Sequence, residues 1–365
     1  MIPLREITSY LEELASLSLQ ESYDNAGLQV GDHGMDVSGI LVALDLSEEV
    51  LLEAEKLGFN LVLTHHPVIF GGLKSLTGRS GPERIVKLAI QKEIAIYSAH
   101  TNFDAITGGV NSALANRLGL VNQRILAPLS GTLKKVVVYV PHAQLEQVRQ
   151  AMFDAGAGQI GEYDNCSFNM EGSGTFRGGE ETKPFTGESG VFQQEPETRL
   201  ETIVPVHLVG GLLRAMTAAH PYEEVAYDIY PLENKDPRRG SGMIGRLEYP
   251  MEEEVFLGFL KDRFRASVVR HSALLGLPVR KVAVCGGSGS FLLGKAKAAG
   301  ADVFVTGDMK YHQFFEAEGK LVVMDIGHFE SEQFTPELFY DLLMKKFPKF
   351  AVRLSETEKN PIKYF

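Results

Sequence analysis

Two kinds of hydrophobic pattern alternate along this chain. Short unbroken apolar runs occur at Gly39–Asp45 (GILVALD), Asn60–Thr64 (NLVLT), Ile94–Ser98 (IAIYS), Lys281–Cys285, Asp302–Thr306 and Leu321–Ile326 (LVVMDI). Runs of this length read as strands buried on both faces. Between them lie segments whose apolar residues recur every three to four positions. Pro3 leads into Ile7, Leu11 and Leu14, and Ser47 with Glu48-Glu49 reads as a helix N-cap with an acidic first turn, closing at Gly58. Further helices are predicted over Pro82–Gln91, near Gly109–Leu118, and over Glu252–Phe264, Phe291–Ala299 and Ser331–Lys346, with a last strand at Phe350–Leu354. A strand–helix rhythm of this kind predicts an α/β fold with a largely parallel sheet covered on both faces.

The rhythm changes in the middle of the chain. A break at Ala127–Thr132 (APLSGT) precedes a strand at Lys135–Val140 and a helix over His142–Ala155. A strand at Glu201–Val206, a helix over Leu208–Ala219 and a strand at Val225–Tyr230 follow later. Strand–helix–strand repeated around a hairpin fits a ferredoxin-like α+β unit. The predicted organisation is an N-terminal α/β half over 1–131, an inserted ferredoxin-like domain over 132–240, and a C-terminal α/β half over 241–365, the two outer halves forming one core. Gly172–Pro196 is rich in glycine and charge and reads as a mobile, solvated loop.

Composition narrows the class. The chain has 365 residues, 44% apolar and 23% charged, as expected for two or three globular domains. No stretch has the roughly 18 uncharged residues that a membrane helix requires, and the first twenty carry charges throughout, so a cytoplasmic protein with no membrane partner is expected. Cys166 and Cys285 are the only cysteines, which excludes a disulfide framework or a thiolate zinc site. A net charge of −11 argues against nucleic acid as a partner.

The chemistry lies where the apolar runs end. NLVLT runs into His65-His66, IAIYS into His100 and Asp104, and LVVMDI into His328 and Glu332. In α/β sheets, sites form outside the carboxyl ends of the strands, so three segments deliver imidazoles and carboxylates to one edge of one sheet. Taken singly, each signal has an ordinary reading: a histidine pair capping a strand, a polar helix start, a turn aspartate. Their convergence is what predicts a metal site. Three imidazoles and two carboxylates exceed what one open catalytic zinc takes and suit two ions bridged by a carboxylate. Mixed nitrogen and oxygen ligands point to two divalent ions of Zn, Fe, Mn or Co. His100 and His312 are candidates for orienting a ligand or moving protons, and Lys310 with His312 for contacting an anionic group. Gly286–Gly289 reads as a tight turn, and His220–Glu224 as a turn from helix to strand.

Leu63–Pro67 (LTHHP), Thr101–Asp104 (TNFD), Thr306-Gly307-Asp308 and Asp325–His328 with Glu332 resemble the dinuclear-metal hexameric family of GTP cyclohydrolase I type 2 homologues, also called NGG-interacting-factor-three-like proteins. The resemblance spans essentially the whole chain, and His220-Pro221-Tyr222-Glu223-Glu224 resembles the insert of the longer bacterial members. It implies His65, His66, Asp104, His328 and Glu332 as ligands of two divalent ions. It also implies a toroidal homohexamer whose openings are capped by a signal-protein-like or divalent-tolerance-protein-like insert. Phe103 stands where the family more often has leucine, a hydrophobic exchange that leaves Asp104 in place.

Two functions follow as expectations. One is a hydrolase using metal-activated water, for GTP ring opening or for phosphoester or amide hydrolysis, with a nucleotide or small phosphorylated compound as substrate. A highly charged nucleotide would then need Lys74, Arg79, Arg84 or Lys310 to reverse the field of an acidic protein locally. The other is a non-catalytic, metal-loaded hexameric scaffold or regulatory protein.

Overall fold

Four strands of the N-terminal part belong to a five-stranded sheet: β1 (Gly27–Val30), β2 (Ile40–Ala43), β3 (Leu61–Thr64) and β4 (Ala95–Ser98). The computed structural model describes all residues 1–365. Every residue of β2, β3 and β4 is buried, the reason their sequences are continuous apolar runs rather than alternating ones. The helices are α1 (Leu4–Leu14), α2 (Glu48–Leu57), α3 (Gly81–Gln91), the single turn α4 (Thr101–Asp104) and α5 (Val110–Arg117). Local chemistry sets their ends. Ser47 Oγ accepts the Val50 amide at 3.3 Å to start α2, and Gly58 at φ +72° ends it in the left-handed conformation that glycine adopts without strain.

The middle of the chain gives β5 (Val121–Leu129), β6 (Leu133–Pro141), α6 (Leu145–Asp154), β7 (Ser167–Arg177), β8 (Phe192–Pro205), α7 (Val209–Ala219) and β9 (Tyr227–Leu232). The C-terminal part gives β10 (Asp236–Met251), α8 (Glu253–Phe264), β11 (Val279–Ser288), α9 (Leu293–Ala298), β12 (Val303–Gly307), β13 (Val322–Asp325), α10 (His328–Glu332), α11 (Thr335–Lys346) and β14 (Val352–Leu354).

Residues 1–127 and 238–365 make one compact unit, and 128–237 a second. The first unit is mixed α/β and holds two large sheets where the sequence pattern predicted one, beside a short pairing of Ile2–Pro3 with Asp36–Val37. Their orders are β14-β2-β3-β4-β1 and, starting from the short strand Arg270–His271, β13-β12-β11-β10-β5. β14 through β4 pair in parallel in the first sheet, and β11, β12 and β13 in the second. The C-terminal part is shared between them. α11 lays Phe339 and Leu343 against Ile40, Leu63 and Tyr97 of the first sheet, and β14 extends that sheet's edge beside β2. This crossover carries the chain from β13 in one sheet to the face of the other, with α10 at the crossing.

In the second unit, β6, β7, β8 and β9 form an antiparallel sheet of order β9-β6-β8-β7, with α6 and α7 packed on Val136, Val138, Val140, Leu200 and Val204.

Three local expectations are corrected. Gly172–Pro196 is loop only in its middle: Gly172–Arg177 and Phe192–Pro196 are paired backbone, since β7 and β8 pair from Ser167↔Thr202 out to Arg177↔Phe192. Glycine and charge there reflect a sheet with one open face. The helix placed over Ser331–Lys346 is two helices, α10 beginning at His328 and α11 beginning beside Pro336, which occupies the first turn where its missing amide costs nothing. β5 runs into the APLSGT break as far as Leu129 and had no sequence signal, because its apolar residues are too few to stand out.

Candidate metal centre

His65 and His66 follow β3 without a gap. The Thr64 hydroxyl donates to the His66 carbonyl at 2.8 Å, and both histidine amides reach the Leu44 carbonyl at 3.2 and 3.0 Å, which fixes a turn at the strand end. The two rings then serve opposite sides of one carboxylate. His65 Nε2 lies 3.8 Å from Glu332 Oε1 and 3.7 Å from Asp104 Oδ1. His66 Nε2 lies 3.1 Å from Glu332 Oε2. Gly327, at φ +96°, turns the chain out of β13 so that α10 starts at His328. One helical turn places Glu332 beside it, with His328 Nε2 3.0 Å from Glu332 Oε2 and 3.3 Å from His66 Nε2. All five residues drawn from the sequence thus meet, from β3, α4 and α10, at the seam between two sheets rather than on the edge of one.

The protons decide what this arrangement can hold. His65 Nδ1 faces the Ala99 carbonyl at 2.8 Å, His66 Nδ1 faces Asp45 at 2.8 Å, and His328 Nδ1 faces Asp308 at 2.6 Å. Carbonyl and carboxylate oxygens only accept, so each Nδ1 carries the ring proton and each neutral ring presents a bare lone pair at Nε2. The His65 lone pair points at carboxylate oxygens, and those of His66 and His328 at each other and at Glu332. His65 Nε2 and Asp104 Oδ1 are buried and without a hydrogen-bond partner. Acceptors facing acceptors in a buried place repel unless something positive lies between them. Bond lengths of about 2.0–2.2 Å around a four-coordinate ion set neighbouring ligand atoms roughly 3.4 Å apart, and the separations here, 3.0–3.3 and 3.7–3.8 Å, bracket that value. The groups His66–His328–Glu332 and His65–Asp104–Glu332 could each hold a metal ion.

The ionisation shifts agree in sign. Burial opposes charge on His66, but Asp45 and Glu332 outweigh it and raise its pKa to about 10. For His328 burial is likewise outweighed, by Glu332 and Asp308, to about 9. Burial pushes Asp104 up, while the His328 and His66 rings at 3.0 and 3.1 Å, with His65 close by, overcome burial to hold Glu332 well below the carboxylate range. Without a metal, a proton on an Nε2 takes the place a cation would fill.

His100 stands beside the cluster, its ring 5.1 Å from that of His65 and 5.4 Å from that of His66. Its Nδ1 donates to Asp24 at 2.7 Å, leaving Nε2 as an acceptor. Asp24 is raised by burial, yet hydrogen bonds from His100 and Thr101 bring it down to about 2. His312 is elsewhere. The chain turns at Asp308 (φ +55°) into a short 3-10 helix, where His312 is exposed against Tyr311 and Phe315 and does not line the cavity at the cluster. Lys310, Lys74, Arg79 and Arg84 do not line it either, and Arg84 pairs with Glu48 at 2.7 Å.

Asp45, Asp24 and Gly287 were missed as site residues. Asp45 had a signal, a carboxylate closing the run GILVALD; Asp24 lies in a loop with none. Gly287 was read only as part of a turn. Its φ is +57°, and a Cβ there would lie 2.5 Å from Glu332 Oε1 and 3.2 Å from His328 Nε2. Gly287→Ala is therefore expected to leave the melting transition cooperative while bound metal, measured by elemental analysis after dialysis, falls by more than half. Unchanged metal content would show that Glu332 does not need that space.

The cavity around these residues is about 600 Å³. Tyr23, Phe70, Phe291 and Phe329 contribute rings to its lining, and Glu21, Asp45, Asp104, Asp308 and Glu332 contribute carboxylates. No lysine or arginine is among the lining residues.

Residues 2–361 match the Duf34/NIF3 (NGG1p interacting factor 3) family. The "GTP cyclohydrolase 1 type 2 homolog" of Bacillus subtilis is 39% identical over 99% of this chain and 98% of its own length, and that of Halalkalibacterium halodurans is 41% identical over 88% and 87%. A crystal structure of a Bacillus cereus protein related to NIF3 superposes with a TM-score of 0.87 at 40% identity, covering 100% of both chains. The chain belongs to the Duf34/NIF3 family.

Proposed function

We propose that this member of the Duf34/NIF3 family binds two divalent cations that share Glu332, and that it hydrolyses a carbon–nitrogen bond of a planar, weakly charged substrate. The observation that carries the reading is the set of imidazole and carboxylate lone pairs facing one another in a buried place, with His65 Nε2 and Asp104 Oδ1 unpartnered. One ion would lie among His66, His328 and Glu332, the other among His65, Asp104 and Glu332. When bound, such cations supply Lewis-acid polarisation and lower the pKa of water toward neutrality.

The protein's own groups do the rest. Asp45, Asp308 and the Ala99 carbonyl hold the three imidazoles in the tautomer that presents Nε2. His100, fixed by Asp24, accepts a proton at Nε2 and returns it to the leaving nitrogen. Tyr23, Phe70 and Phe291 offer ring faces to a flat substrate. The name shared by the bacillar relatives points to opening of a purine ring, which is hydrolysis of this bond type. Charge favours a substrate without the triphosphate. Phosphoryl groups are held by Arg, Lys, helix N-termini or metal ions, and five lining carboxylates against no lysine or arginine leave only the two divalent ions to offset the charge of a triphosphate.

The test uses metal-loaded protein with guanosine, GTP, dihydrouracil and p-nitrophenyl phosphate. Guanosine or dihydrouracil is expected to turn over faster than GTP and the phosphoester. His100→Gln is expected to lower kcat by about 10²–10⁴-fold with metal content unchanged. Turnover of none of these above the background of Glu332→Ala would sink the hydrolase reading.

A further inference from the structure

The second unit holds a cavity of its own, about 610 Å³, far from any role given so far. Its floor is the face of the β6–β8 sheet opposite α6 and α7, and its wall is the tip of the β7–β8 hairpin. The hairpin tip is tied down where the Lys183 amide donates to Glu223 at 3.0 Å. Phe176, Phe185 and Tyr222 line it, with ring centroids 6.3 Å apart for Phe176–Tyr222 and 6.1 Å for Phe185–Tyr222.

At the floor stands Glu197, only 8% exposed. The Tyr222 hydroxyl donates to its Oε1 at 2.9 Å. Gly174 makes room for the other oxygen, since a Cβ there would lie 2.1 Å from Oε2. The carboxylate has no cationic partner. Arg199, two positions along the same strand, pairs instead with Glu201 at 3.2 Å, as does Lys135 of the adjoining strand at 2.9 Å. His220 is not a counter-charge either. Its Nδ1 accepts the Tyr222 amide at 3.1 Å while its Nε2 donates to the Tyr139 carbonyl at 3.0 Å, so the ring is neutral.

Buried carboxylates in folded proteins are paired with a cation or satisfied by several donors. Here one hydroxyl serves a carboxylate lying at the bottom of an aromatic-walled space. Ring faces attract cations through their quadrupole, most strongly when water is excluded. Among the charged lining residues, Glu171, Glu197, Glu223 and Glu224 outnumber Arg177 and Arg199. We propose that this cavity is a second ligand site, taking a small organic ammonium ion with a flat apolar body: the ammonium on Glu197, the body between Phe176, Phe185 and Tyr222. A binding site in the unit without the metal ligands would let an amine act on the protein without entering the first cavity.

The experiment compares three probes of one shape, 2-phenylethylammonium, 2-phenylethanol and 3-phenylpropanoate, by calorimetry on the full-length metal-loaded protein. The ammonium is expected to bind about tenfold or more tightly than the neutral alcohol, and the carboxylate not at all. Glu197→Gln is expected to abolish that preference with metal content unchanged. Phe185→Ala, at a half-exposed position on the hairpin where folding is not at risk, is expected to weaken the ammonium severalfold. Equal binding of alcohol and ammonium, or an ammonium affinity untouched by both substitutions, would overturn the assignment.

Discussion

Glu332→Ala is expected to lower bound metal from about two ions per chain to well under one, whereas His65→Ala and His328→Ala should each leave one position partly occupied. The asymmetry follows from geometry. Glu332 Oε1 faces His65 and Asp104, and Oε2 faces His66 and His328, so one carboxylate belongs to both groups. His328 and Asp104 belong to one group each, and His65 and His66 share a second only with His100. Metal that binds only the folded state stabilises it by about 2.7 kcal/mol at a hundred times its dissociation constant. The wild-type melting temperature should therefore rise on adding metal and fall on chelation, while that of Glu332→Ala should respond to neither. Elemental analysis and a thermal melt with and without chelator read both effects. A variant that keeps both ions would mean that Glu332 is not shared.

Phe339→Ala is expected to cost about 3–5 kcal/mol of unfolding free energy, the range for removing a fully buried aromatic side chain. Phe339 is 0% exposed and sits on α11, with its ring edge-on to Phe103 at 5.1 Å and tilted against His65 at 6.3 Å. It joins the C-terminal helix to the N-terminal sheet in the cluster that contains Leu4, Ile7, Leu11 and Tyr97. The same ring backs two site elements, α4 through Phe103 and the strand end at His65. Metal affinity should fall together with stability. Denaturant titration, with an unchanged slope and a shifted midpoint, measures the first effect. Phe315→Ala, at a position 67% exposed, is the control and should stay within about 0.5 kcal/mol. A loss under about 1 kcal/mol at Phe339 would show that the two parts of the first unit are held together elsewhere.

Much of this was legible in the sequence because it was local. The strands leading to His65-His66 and to Asp104 are buried on both faces, and continuous apolar runs are what such strands require. His328 and Glu332 could be paired from their spacing of one helical turn. What failed was the assumption that one rhythm means one sheet. Periodicity says that β13 is buried but not beside which strand, so a site at the seam of two sheets looked like a site at the edge of one. The hairpin β7–β8 failed for a related reason: its open face carries glycines and charges that read as solvated loop. His312 was a guess from proximity to Gly307-Asp308, and one left-handed residue, Asp308, was enough to turn it away. Asp24 had no sequence signal, since its contact with His100 joins residues 76 positions apart.

The central claim is that two cations flank one carboxylate, and anomalous diffraction from metal-loaded crystals at the absorption edges of zinc, iron, manganese and cobalt tests it most directly. The account predicts two peaks per chain, one contacting His66, His328 and Glu332 and the other contacting His65, Asp104 and Glu332. A single peak, or peaks that leave Glu332 without contact, would contradict it.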